Sequence, residues 1–156
     1  MADKKGRVVW VFGYPCSGKT FNGDYLASQG WVNIDGDWPL RSSDPTVTAD
    51  WRCLMMVIMK WTNGVTDLSE EETKAWHKHH RILCEQALEV TKTGKDAIIS
   101  FVCYKKIVRD FCRTLIPDIE FIHIHVDTDI LLPKFKIRME KAFPPGIGFK
   151  EMWSSP

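Results

Sequence analysis

The chain has 156 residues, 44% hydrophobic and 26% charged, which fits one globular domain spanning residues 1–156 with one sizeable core and excludes a disordered chain. Its 21 basic and 20 acidic residues leave a net charge of +1, and no basic stripe argues for nucleic acid or a membrane surface as a partner. The N-terminus lacks the apolar core of a signal peptide, no apolar stretch approaches a membrane span, and five cysteines show no CxxC pair, so reduced thiols and a cytoplasmic location are expected.

Residues 7–12, Arg-Val-Val-Trp-Val-Phe, form an apolar β-branched run that predicts a buried strand. Directly after it come Gly13, Tyr14, Pro15, Cys16, Ser17, Gly18, Lys19 and Thr20, a complete phosphate-binding pattern, and residues 21–28 read as the first turns of a helix. Strand, glycine loop and helix belong together physically. Glycines let backbone N–H groups curl around phosphate oxygens, and the helix N-terminus adds partial positive charge. In that setting Lys19 would reach the β- and γ-phosphates of a nucleotide and the Thr20 hydroxyl would ligate Mg²⁺, so ATP and Mg²⁺ are the implied cofactors. The plainer alternative is a glycine-rich turn that binds nothing, and all four fixed positions of the motif weigh against it.

Gly30 reads as a helix stop, residues 31–35 as a second strand, and residues 37–45 as a polar, proline-containing connection. Trp51, Leu54, Met55, Ile58 and Trp61 make a helical stripe over residues 49–62. Ser69 followed by Glu72 is a capping box; the helix it opens would bury Trp76, Leu83, Ala87 and Val90 and stop at Gly94. Residues 97–102 predict a third strand, 105–115 a helix halted by Pro117, 119–126 a fourth strand, and 129–141 a helix ended by Pro144, Pro145 and Gly146. Strands separated by helices imply right-handed crossovers and a parallel sheet covered on both faces, an α/β/α sandwich of the P-loop type with about four strands. Ligands then bind beyond the carboxyl ends of the strands, where residues 13–20, 35–37, 102–106 and 127–129 converge.

Asp35-Gly36-Asp37 ends the second strand. Asp35 would hold Mg²⁺ through water, and Asp37 would orient an acceptor hydroxyl and take its proton. Read alone, the tripeptide is a turn; the upstream loop makes it a site. Trp38 is the tryptophan placed against a substrate. Lys105, Lys106 and Arg109 open the helix after the third strand, where cations would grip an anionic acceptor, or Arg109 would simply pair with Asp110. Lys134, Arg138 and Lys141 recur at helical spacing in a lid region of about residues 130–150, and Arg138 is the one assigned to the transition state. His77, His79 and His80 have no convergent metal ligands, so a helix surface with one half-buried histidine explains them. His123 and His125 share a strand face, and packing or a hydrogen bond explains them. Cys16 is either a reactive thiol or a filler whose backbone does the binding.

Taken together, these pieces resemble the gluconate kinase family, among the small P-loop kinases that also include the shikimate kinases. The likeness runs from about residue 7 to 143. It rests on the phosphate loop, on Ile34-Asp35-Gly36-Asp37, on residues 60–68 leading to Trp76, on the Lys105-Lys106-x-x-Arg109-Asp110-x-x-Arg113 stretch, and on Asp127, Asp129, Lys134 and Arg138 at the opening of a lid. It implies transfer of the ATP γ-phosphate to a sugar-acid hydroxyl, with Mg²⁺. Departures fall at Trp38-Pro39-Leu40, Thr73, Val108, Lys134 and Ala142, several of them positions that would shape the acceptor pocket. The family continues past the lid into a further helix, a fifth strand and a last helix, whereas residues 152–156 here read Met-Trp-Ser-Ser-Pro. A sheet lacking that strand would leave an edge on strand one or four open to self-association. The expected function is therefore a small-molecule kinase. A nucleotide binder without transfer activity, a kinase for another hydroxy acid such as shikimate, and an NTPase switch acting on a protein partner are the alternatives.

Overall fold

The computed structural model describes residues 5–103 and 105–142. Strand β1 (Val8–Phe12) is buried at every position, as a strand covered on both faces must be. After it come α1 (Lys19–Ser28), β2 (Val32–Asp35), a 3-10 turn (Trp38–Arg41), α2 (Pro45–Thr62), α3 (Glu70–Lys92), β3 (Ala97–Ser100), α4 (Lys106–Leu115), β4 (Glu120–His123) and α5 (Thr128–Ala142). All strand pairings are parallel and the order is β2-β3-β1-β4. The predicted sandwich is present.

Alternation along β1 divides the core. Val8, Trp10 and Phe12 face a large cluster with Leu54, Val57 and Trp61 of α2, Trp76 and Leu83 of α3, and Val108 and Cys112 of α4. Val9 and Val11 face the other way, with Ile98 and Leu26 of α1. The Trp10 indole N–H donates to the Phe101 carbonyl at 3.1 Å, so the largest ring in the core keeps its polar edge satisfied. Cys84, Cys103 and Cys112 are buried free thiols.

Several boundaries differ from the sequence reading. Helix α2 begins at Pro45 rather than residue 49 because Asp44 Oδ1 accepts from the Thr46 N–H at 2.8 Å and Pro45 occupies the first helical position. The connection before it contains a 3-10 turn. Strands β3 and β4 stop at Ser100 and His123, short of the predicted 102 and 126. Val90 is half-buried, not core. Strand β1 is interior; among the described residues the edges are β2 and β4. The capping box forms as read, with Ser69 Oγ accepting from the Glu72 N–H at 3.1 Å and Glu72 Oε2 from the Ser69 N–H at 2.8 Å. Residues 144–146, assigned to end the last helix, and the lid beyond residue 142 lie outside the described residues.

Candidate active site

The carboxyl ends of β1 and β2 place the phosphate loop and the aspartate turn side by side across β3. The loop winds through two left-handed positions, Cys16 at φ 66° and Gly18 at φ 93°. A cysteine held there is strained, and such strain clusters at ligand clamps and active sites. The Ser17 hydroxyl is buried under the loop and, among the described residues, has no partner, a vacant donor that a phosphate oxygen could satisfy. Lys19 Nζ donates to the carbonyls of Gly13 and Tyr14, both at 2.8 Å, so the ammonium spans the start of the loop. Thr20 is exposed in the first turn of α1.

In the aspartate turn, Asp35 Oδ1 accepts from the Asp37 N–H at 2.9 Å, and Asp35 Oδ2 accepts from Arg41 at 2.9 Å. Gly36 is required between them: a Cβ there would stand 2.4 Å from the Phe101 side chain. The Gly36 carbonyl is held in turn by His79 Nε2 at 3.0 Å. Burial pushes the His79 imidazole down to about 4, so the ring is neutral at pH 7 and Nε2 donates. His79 also meets Trp51 edge-on, with centroids 5.6 Å apart, and lies against Phe101. His80 is fully buried, bonded through Nδ1 to the Trp76 carbonyl at 2.7 Å and driven down to about 3 by burial. Two buried histidines thus replace the single half-buried one expected from the sequence; His77 is the half-buried one, stacked on Phe111.

Charge ties the parts together. Burial lowers the Lys19 ammonium to about 8; Asp37 opposes that shift, and Arg138 reinforces it. Burial, then Asp35, raises the Asp37 carboxyl, while Lys19, Arg138 and Arg41 pull against them. Arg138 arrives from α5, its Nη1 3.9 Å from Cys16 Sγ. Lys19, Asp37 and Arg138 therefore lie within electrostatic reach of one another. Lys134 and Lys141 are exposed on α5. Trp38 follows Asp37, and its indole N–H, though buried, has no partner among the described residues.

The α4 cations separate. Lys106 and Arg113 both bond Asp110, at 2.5 and 3.3 Å, so the alternative pairing of Asp110 with Arg109 does not form. Arg109 turns inward, donating to the Cys103 carbonyl at 2.8 Å, with its guanidinium 5.2 Å from the centroid of the Phe12 ring. Lys105 caps α4 beside Trp61, His80 and Val102, apart from Arg109's cavity.

The sequence reading missed Arg41, His79 and the placement of His123. Position 79 lay in plain view, three residues after Trp76 and four before Leu83, on the stripe read as buried. Arg41 carried no comparable signal.

For Mg²⁺, the exposed Thr20 hydroxyl and the partly exposed Asp35 carboxylate are a suitable pair. Among the described residues no three His, Cys, Asp or Glu side chains converge on one point. Asp35 would have to share its second oxygen with Arg41.

No protein-family model and no curated protein matches the chain. Solved structures do. An unliganded sugar kinase from Janibacter sp. HTCC2649 aligns at a TM-score of 0.57 and 23% identity, over 96% of this chain and 75% of its own. The APS kinase of Mycobacterium tuberculosis, bound to AMPPNP and APS, aligns at 0.56 and 15%, over 89% and 73%. A gluconokinase from Sinorhizobium meliloti 1021 aligns at 0.52 and 21%, over 91% and 69%. At these identities the likeness establishes the fold alone, a parallel α/β/α sandwich shared with these structures.

Proposed function

We propose that this protein is a Mg²⁺-dependent kinase that transfers the γ-phosphate of ATP to a hydroxyl of a small polyhydroxy acid in the cytoplasm. The observation that carries the reading is the phosphate loop, with left-handed Cys16 and Gly18, the Lys19 ammonium across its start and Arg138 reaching Cys16 from α5. The sugar-kinase and gluconokinase likenesses agree with it.

The loop amides and Lys19 would receive the β- and γ-phosphates, and Thr20 and Asp35 would hold Mg²⁺, which when bound supplies charge neutralisation across those phosphates. Asp37 takes the proton of the acceptor hydroxyl as its oxygen bonds to the γ-phosphorus and the bond to the ADP oxygen breaks. Burial and the neighbouring Asp35 raise the Asp37 carboxyl, which makes its carboxylate a stronger base than an ordinary one. Arg138 faces the charge that spreads over the transferring group. His79 and the Asp35 carboxylate fix the turn from which Asp37 projects, so the base is placed before the substrate arrives.

Coupled ADP release with a panel of sugar acids tests this. ADP should appear with at least one acid, and Asp37→Asn should leave MgATP affinity unchanged while lowering turnover about 100- to 10,000-fold. Wild-type turnover in Asp37→Asn would remove Asp37 as the base. ATP binding with no ADP release for any acid would favour a binder without transfer activity, and acceptor-independent slow hydrolysis would favour a switch.

A further inference from the structure

A cavity of about 220 Å³ opens beside the first residues of the phosphate loop, lined by Phe12, Gly13, Tyr14, Arg109 and His123. It is too small for a nucleotide and large enough for a carboxylate with a few carbons. Phe12 and His123 are paired across β1 and β4, and their rings stack with centroids 4.9 Å apart and planes 10° from parallel. Arg109 lies over the same Phe12 ring. One aromatic side chain thus sets the position of both nitrogen-bearing groups.

Both groups have capacity to spare. Arg109 spends one N–H on the Cys103 carbonyl, which fixes the plane of the fork, and forms no ion pair among the described residues, because Asp110 is taken by Lys106 and Arg113. No hydrogen-bond partner of His123 occurs among the described residues, and its other ring neighbour is His125, 6.1 Å away and itself facing Asp127 at 3.6 Å. Among the described residues no carboxylate lines the cavity. A guanidinium that is oriented, half-buried and unneutralised presents a two-pronged donor whose geometry matches a planar carboxylate.

We propose that this cavity is a carboxylate subsite, in which Arg109 grips the anion with its free N–H groups and a His123 ring nitrogen donates to it from the β4 side. It rests on the kinase reading only for its purpose: an acid anchored here would lie beside the start of the phosphate loop at Gly13 and Tyr14. His123, which packing or a hydrogen bond explains from the sequence alone, becomes a specificity residue.

Titration calorimetry with gluconate and shikimate, against the uncharged polyol sorbitol, tests the subsite directly, with MgATP titrated separately. At least one acid should bind, and sorbitol should bind at least 10-fold more weakly. Arg109→Met should weaken the acid about 10- to 100-fold and His123→Leu several-fold, with MgATP affinity unchanged in both. In the wild-type protein the His123 ring resonances should shift on adding the acid, a readout that needs no variant. Failure of both acids to bind at millimolar concentration, equal affinity for sorbitol, or wild-type acid affinity in both variants would overturn the subsite. Acid binding that depends on Arg109, in a protein that ignores MgATP, would keep the subsite and discard the kinase.

Discussion

Burial acts on Lys19 and Asp37 in opposite senses. The ammonium is lowered to about 8 and the carboxyl is raised. Anion binding needs Lys19 protonated, and proton abstraction needs Asp37 ionised. The kcat/KM of the phosphotransfer should therefore be bell-shaped, rising as Asp37 loses its proton above the ordinary carboxylate range and falling as Lys19 loses its own near pH 8. Because kcat/KM reports the free enzyme, the alkaline limb should lie well below an ordinary lysine's range. A profile flat from pH 7 to 10 would show that Lys19 is not buried as described. Arg41 enters at this scale too, since its bond to Asp35 softens the repulsion between the two aspartates.

The aspartate turn is an element built by tertiary contacts. His79 closes it by donating to the Gly36 carbonyl. His79→Phe preserves a ring of similar bulk and removes the donor, leaving a buried carbonyl unsatisfied at a cost of about 1–3 kcal/mol. Urea unfolding should show that loss, and turnover should fall while MgATP affinity holds; His79→Gln, which restores an N–H, should recover much of both. Unchanged stability and turnover in His79→Phe would mean the turn stands without it. The contrast with the phosphate loop explains what was legible. The loop, the Ser69–Glu72 capping box and buried β1 are specified by residues close together in the chain, so they could be read directly. Asp37, Asp35 and Arg138 could be named from spacing. Arg41 folds back on Asp35 only because a 3-10 turn forms, and His79 reaches Gly36 only because α3 packs across β2 and β3. Likewise, His123 turns to the cavity through its stacking on Phe12. Such contacts join positions up to 111 residues apart, as Phe12 and His123 are, and no local pattern encodes them.

At the scale of the whole molecule, parallel topology assembles the site. With order β2-β3-β1-β4 and every strand pointing the same way, the loop after β1, the turn after β2, α4 after β3 and α5 after β4 all issue from one rim of the sheet. The large core cluster behind α2, α3 and α4 makes that rim rigid, and α5 delivers Arg138 across it to Cys16. The central claim is chemical: a polyphosphate would sit in the loop and be neutralised by Lys19. Calorimetric titration of MgATP into the wild-type protein and Lys19→Ala measures that claim most directly. The account predicts clear binding to the wild type and a loss of about 10- to 100-fold or more in the variant. Equal affinity in the two proteins, or a wild type that takes up no MgATP, would contradict it.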